Sequence, residues 1–380
     1  MLPEGFEITQ NEDGSYVGTW SIIDAQMAEN FNDPRWDDVI NSISADEAIG
    51  AVAHGGSQSD TLTNLYNPIV GQNDGPTGFN NGKIELSDGT SFATNVNSQS
   101  LMGSSFNPDL AYDWGKLLGN TGLMIQKYEI WAGGLNYHRC PYNARNIEYL
   151  SEDPMLTNVL GVGLIEGSKE KGIIVGPKHI GFNDQEYQRS GVGVYMNEQK
   201  LRQTDLRGFE GAIADADALG MMIAFNRIGA INASHHVGMN MGIFRGEWGF
   251  LGLATTDMMN DANYFNPESC IMAGLTMMAD FRGNNSTIGG ADGKDATWGY
   301  LSVESVSNDN TLVEQARLCM KYQLYAFANS AILNVSTTAV TPWWDSALQA
   351  VNIVFIVTTC LLGAAWVVFE ILPIVKKKEA

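Results

Sequence analysis

The side chains best suited to chemistry in this chain stand at the ends of short apolar runs. Leu253-Ala254-Thr255-Thr256 delivers the carboxylate of Asp257, and Leu275 to Ala279 delivers Asp280. Gly172 to Pro177 ends in Lys178-His179, Met221 to Phe225 ends in Asn226-Arg227, and Met124 to Trp131 leads into Gly133-Gly134-Leu135-Asn136. In a parallel α/β fold the loops at the C-terminal tips of the strands share one mouth. Acids and cations carried there meet even when far apart in sequence. A single Asp after a strand also suits the cap of the next helix, so it is the repetition of the pattern that points to a site.

The elements that must position these groups follow from the spacing. Helical segments are expected over 31–55, 151–171, 197–219, 234–248, 262–273 and 311–332, with Ser44 and Glu47 at capping-box spacing. Between 56 and 79 a polar, Gly-rich stretch reads as loop, and Asp74-Gly75-Pro76 in it reads as a turn. Strands of this length alternating with helices predict a parallel sheet. Polar residues at so many strand ends favour a (β/α)8 barrel over an open doubly wound sheet. No Gly-x-Gly-x-x-Gly stands at a first strand–helix turn, which argues against a dinucleotide site.

Composition narrows the function class. Lys and Arg number 22 against 43 Asp and Glu, a net charge of -21, which excludes a nucleic-acid surface of clustered cations. The 41 glycines predict many tight loops. Cys140, Cys270, Cys319 and Cys360 lack Cys-x-x-Cys spacing, so neither a disulfide framework nor a structural zinc is expected. His235-His236 is a poor metal pair, because adjacent side chains point apart, and is read as a loop or helix-surface pair.

The tail is different material. Ala350 to Phe369 is apolar apart from Asn352, Thr358 and Thr359, with Trp343-Trp344 at one end and Lys376-Lys377-Lys378 at the other. That is a membrane-spanning helix with its lysines on the cytoplasmic side. The expected organisation is an acidic segment 1–30 without a signal peptide, a barrel domain 31–335 and a linker 336–346. A transmembrane helix 347–375 and a basic tail 376–380 complete it. The protein is expected in the cell membrane with its large domain extracytoplasmic.

The strand-end residues fall in longer strings that resemble a known family. Asn136-Tyr137-His138-Arg139-Cys140-Pro141, then Ala144-Arg145-Asn146-Ile147-Glu148 and Ser151-Glu152-Asp153-Pro154, are similar to the Asn-x-x-Arg-x-Pro…Gly-Arg-Asn-x-Glu…Ser-Glu-Asp-Pro signature of glycoside hydrolase family 3. Lys178-His179 through Asn183-Asp184-Gln185-Glu186 to Arg189 resembles that family's Lys-His…Asn-Asp-Gln-Glu…Arg. Met222 to Ile228 resembles its Ser-Tyr-Asn-x-Ile segment. Phe244-Arg245-Gly246-Glu247-Trp248-Gly249-Phe250, followed by Thr256-Asp257, resembles its Arg-x-Glu-Trp-Gly-Phe…Ser-Asp-Trp, and Asp74-Gly75-Pro76 its Asp-Gly-Pro.

The resemblance implies a retaining β-glucosidase-like enzyme acting on a β-glucoside or short oligosaccharide without a cofactor or metal. Asp257 would be the nucleophile, while Asp74, Arg145, Lys178, His179 and Arg189 hold sugar hydroxyls. Phe225 and Met258 would border the same site, and Glu148, Asn183 and Glu186 would orient the cations. The chemistry is consistent: carboxylates accept from hydroxyls, Lys and Arg donate to them, and a cation favours the charged form of a nearby acid.

Phe225 and Met258 stand where the family commonly has Tyr and Trp. A third departure is larger. Family members take their proton donor either from a separate sandwich domain or from an Asp-x-His loop after Lys-His, and this sequence contains neither. An acid/base is therefore expected from a sandwich domain in cis or in trans. The rival reading is a non-catalytic, membrane-tethered sugar-binding module.

Overall fold

A computed structural model of the chain describes residues 7–10, 16–19, 23, 25–53, 59, 62, 70–80, 82–86, 89–183, 185–257, 264–279, 308–333 and 343–371. These belong to two compact units, one of residues 1–85 and 89–337 and one of residues 86–88 and 338–380.

The large unit is built on parallel strands that follow one another in chain order. Strand β1 (Gln72–Asp74) pairs with β2 (Glu129–Trp131), and β2 pairs with β3 (Ile174–Val175). Past β3, the Ile180 amide donates to the Met222 carbonyl at 3.0 Å, on β4 (Gly220–Ile223). Strand β4 runs parallel to β5 (Leu253–Thr256), with Thr256 opposite Ile223, and Thr255 bridges in parallel to Met277. Each of these six segments neighbours its chain successor, so their C-terminal ends all face the same side. Beyond β2, Gly134 also bridges in parallel to Tyr149 and Lys178. The described side chains of β2 to β5 are buried, as expected of strands covered on both faces.

Several expectations change on inspection. The Asp74 stretch is a strand as well as a turn: Gln72-Asn73-Asp74 has no apolar residue, so hydrophobic pattern alone conceals it. The run Met124 to Trp131 is a strand only from Glu129. Met124 instead closes a helix the pattern reading left out, α3 (Pro108–Met124), which starts at Pro108 with the Asn107 side chain accepting from the Asp109 and Leu110 amides. Residues 197–219 form not one helix but four short pieces of α and π type between Glu198 and Asp215. Residues 234–248 are chiefly a π-helix, Gly238–Glu247. The Leu275 to Ala279 run contributes one bridge rather than a full strand.

The other helices lie close to expectation: α1 (Arg35–Asn41), α2 (Ala45–Ala53), α4 (Pro154–Lys169) and α5 (Asn310–Ala328). Ser44 and Glu47 exchange hydrogen bonds at the start of α2, completing the capping box. Helix α5 packs on α1 and α2 through Met320, Leu324, Val39 and Val52, in a cluster closed by Trp36, whose indole donates to the Met27 carbonyl.

Helices α3 and α4 approach so closely that their contact is made of glycine. A Cβ on Gly115 would lie 2.3 Å from the Leu164 carbonyl oxygen, and one on Gly167 would lie 2.1 Å from that of Tyr112. The small unit holds α6 (Trp343–Trp366), continued by a π turn to Ile371. Its stretch Ser346–Phe369 has a mean hydropathy of 2.2 and none of it is buried. At about 1.5 Å per residue this is long and apolar enough to cross a bilayer.

Within a helix, Gly→Ala ordinarily stabilises by about 1 kcal/mol. At Gly167 the sign reverses, because the added methyl meets backbone of α3, which cannot turn aside. Gly167→Ala is expected to destabilise the protein by about 1–3 kcal/mol, read as a lower unfolding midpoint in urea. A raised midpoint would show that the helices part easily.

Candidate active site

The strand ends enclose a cavity of about 500 Å³, within the usual size of a small-molecule site. Asp74 reaches it from the end of β1, Trp131 from β2, Lys178 and His179 from just beyond β3, Met222 from β4 and Asp257 from just beyond β5. Two rim loops complete the wall: the loop after β2 adds Arg145 and Glu148, and the loop after β3 adds Glu186 and Arg189.

Local structure explains how each group is held. Asn136 clamps the backbone of His179, accepting from its amide at 2.7 Å and donating to its carbonyl at 3.0 Å. The Lys178–His179 peptide is cis. Lys178 is buried and its ammonium meets the Asp74 carboxylate. Asp257 is buried, its amide donates to the Ile223 carbonyl at 3.0 Å, and its neighbour Thr256 accepts from the Ala279 amide. Its carboxylate lies 3.7 Å from Arg189 Nη1 and 3.8 Å from His179 Nε2.

The rim is a network of charge. Arg145 forks onto Glu148 with bonds of 3.0 and 2.5 Å and lies 3.7 Å from Glu186. Arg189 donates to Glu186 at 3.0 Å. Four carboxylates and three permanent cations therefore face one cavity. His179 adds no fourth cation. Complete burial comes first, then Arg145, Lys178 and Arg189 beside it, and together they hold its pKa well below the ordinary 6.5. Its imidazole meets Asp257 as a neutral ring.

Of the residues expected here, Asp74, Arg145, Glu148, Lys178, His179, Glu186, Arg189 and Asp257 come together in the cavity wall. Asn183 stands behind them, donating to Glu186 at 2.8 Å. Phe225, expected to border the sugar, does not line the cavity. It is fully buried beneath Arg189, whose guanidinium lies 4.8 Å from the ring centroid, and it stacks on Tyr264. Met258 and Asp280 lie outside the described residues. Trp131 and Met222 were read only as strand residues, because a wall position at a strand end leaves no mark on hydrophobic pattern.

His235 and His236 engage different partners, the amides of Asn266 and Met239. Among the described residues no cluster of three or more His, Cys, Asp or Glu is arranged to hold a metal, and the four cysteines are free thiols.

The pattern of the Glycosyl hydrolase family 3 N terminal domain matches residues 47–276. The chain belongs to glycosyl hydrolase family 3. It is 31% identical over 230 residues to the beta-glucosidase BoGH3A of Bacteroides ovatus, covering 59% of this chain and 31% of that protein. A beta-glucosidase of Ruminococcus albus is 31% identical over 215 residues, covering 56% of this chain and 22% of that one. Beta-glucosidase 3B from Thermotoga neapolitana, solved in complex with glucose, superposes with a TM-score of 0.70 at 22% identity, over 83% of this chain and 45% of that chain. A beta-glucosidase from Paenibacillus barengoltzii gives 0.68 at 21% identity, over 88% and 40%. Those two likenesses concern the fold. The chain spans less than half the length of each of these four proteins.

One residue of the family strings has a role the sequence reading did not assign. Arg245 is buried, and its guanidinium donates to the carbonyls of Phe250, Gly252 and Gly274. It thereby ties the entry to β5 to the turn before Met277. Its Cζ lies 3.5 Å from the centroid of the Tyr322 ring on α5. Burial brings its pKa down to about 10, so it is charged at neutral pH.

Two outcomes are expected. Hydrogen bonds from a charged donor are worth about 1.5–3 kcal/mol each, and Arg245→Met leaves three buried carbonyls without theirs. It should lower stability by about 3 kcal/mol, seen in urea unfolding; a loss under 1 kcal/mol (roughly one tenth of a domain's total) would show that the carbonyls find other donors. The second outcome concerns acid. Below pH about 6.5 the unfolded chain protonates His179 while the folded one does not, so protons favour unfolding. His235, lowered to about 4 by burial and by Arg227, acts in the same direction. Stability should fall as pH drops from about 6.5 toward 4, and His179→Gln should flatten part of that slope. An unchanged slope in the variant would place the proton uptake elsewhere.

Proposed function

We propose that this chain carries the sugar-binding and nucleophilic half of a retaining, exo-acting β-glucosidase. The observation that supports it best is Asp257: a buried carboxylate at the tip of β5, facing the cavity and lying 3.7 Å from Arg189 and 3.8 Å from a neutral imidazole. On this reading the six parallel segments belong to a (β/α)8 barrel whose mouth is the cavity. Asp74 offers an acceptor and Lys178, Arg145 and Arg189 offer donors, which suits a ligand covered in hydroxyls. Glucose held there would present its anomeric carbon to Asp257. Attack would form a glycosyl ester and expel the aglycone oxygen, and water would later displace the carboxylate with net retention.

The leaving oxygen needs a proton. Asp74, Glu148 and Glu186 are each paired with a cation, so their oxygens are already engaged. The acid/base is proposed to come from a sandwich domain, in cis or in trans. The same lack among the described residues favours the second reading, a sugar-binding module without catalysis. The helix Ser346–Phe369 would anchor the protein, with the large unit extracytoplasmic.

Incubation with a dinitrophenyl 2-deoxy-2-fluoro-β-glucoside, whose leaving group needs no proton, should label Asp257, as peptide mass mapping will read. Label on another carboxylate overturns the assignment, and no label with measurable glucose binding selects the binding module. Cellobiose should turn over slower by about 10²–10⁴-fold than when a sandwich domain is supplied. Ordinary turnover by this chain alone would mean that an unassigned carboxyl acts as the acid.

A further inference from the structure

Behind the rim stands a tyrosine that never reaches the cavity. Tyr149 is fully buried, and its backbone is held on both sides: its amide donates to the Asn146 carbonyl, and its carbonyl lies 2.9 Å from His138 Nε2. The chain extending from β2 presses against it at Gly134, where a Cβ would lie 2.0 Å from the Glu148 carbonyl oxygen and 2.8 Å from Tyr149 Cδ1. The ring presents an edge-on contact to His179, with centroids 6.4 Å apart. Its hydroxyl therefore has a fixed position.

We propose that Tyr149 is a positioning residue, whose hydroxyl sets the orientation of the Asn183 amide and through it the carboxylate on which two cavity arginines converge. Asn183 is fully buried. Its amino group donates to the Tyr149 hydroxyl at 2.8 Å and to Glu186 Oε1 at 2.8 Å, using both of its protons. Glu186 Oε2 takes the Arg189 bond, and Oε1 lies 3.7 Å from Arg145. Arg189 in turn faces Asp257. Without the hydroxyl, one N–H of Asn183 is stranded in a dry site, which is costly. Turning the amide over would set its oxygen against the Glu186 carboxylate. Either response moves Glu186, and Arg145 and Arg189 move with it. Burial raises the Tyr149 pKa above its ordinary value, so the group remains a neutral phenol.

The inference rests on the sugar-binding reading for its functional consequence and on geometry alone for its structural one. Tyr149→Phe keeps the ring and its packing and removes only the hydroxyl. Glucose affinity by calorimetry and the rate of Asp257 labelling should each fall about tenfold. In the Asn183→Ala background the same substitution should change neither. Wild-type affinity in Tyr149→Phe, or losses that add in the double variant, overturn the proposal. If the unaltered protein binds no glucose, the sugar-binding reading fails, and a crystal structure of Tyr149→Phe decides the positioning role. A Glu186–Arg189 contact opened from 3.0 Å supports the role, and an unmoved one overturns it.

Discussion

Charge removed from water must be matched by charge or by hydrogen bonds, and the cavity is arranged around that requirement. Asp74, Glu148, Glu186 and Asp257 face Lys178, Arg145 and Arg189 across one wall. Each acid meets a cation within 4 Å, and the one remaining basic side chain, His179, is kept neutral by its burial and by those same cations. The arrangement leaves pre-aimed donors and acceptors in a low-dielectric site, where they act more strongly than in water.

That wall comes from five separate stretches of chain, so its geometry is only as good as the scaffold. Parallel pairing in chain order sends the strand ends to one side, and buried polar clamps then hold the individual tips. Asn136 grips the His179 peptide, Arg245 gathers three carbonyls around β5, and Thr256 fixes Ala279. The glycine contact of α3 with α4 serves the same end from behind, by letting two covering helices lie backbone to backbone over the sheet. Satisfied buried polar groups of this kind specify one arrangement, because any other strands a donor or an acceptor.

The tail obeys a different rule. The side chains of Ser346–Phe369 are mostly apolar and include no Asp, Glu, Lys or Arg, and none of the stretch is buried within the protein, whereas α5 buries an apolar face against the rest of the large unit. The length and composition of Ser346–Phe369 suffice to cross a bilayer.

Much of the fold was legible in the residues. Strands covered on both faces must be apolar, so β3, β4 and β5 announce themselves, and two of them hand polar successors to the cavity, Lys178-His179 and Asp257; Asn226 after β4 is buried and donates to the Gly181 carbonyl instead. The capping box at Ser44 is local chemistry and is readable as such. What failed was nonlocal. Strand β1 carries Gln, Asn and Asp because its job is to line the site, so its pairing with β2 is the only thing that makes it a strand. Phe225 looked like a wall residue by position, yet packing against Tyr264 and Phe265 took it under Arg189. The roles of Tyr149, Asn136 and Arg245 exist only as contacts between segments, and no single stretch of sequence encodes a distance. Residue order determined which groups stand at strand tips. Tertiary packing decided which of them share an electrostatic environment, because charge and burial depend on neighbours the chain brings in from elsewhere.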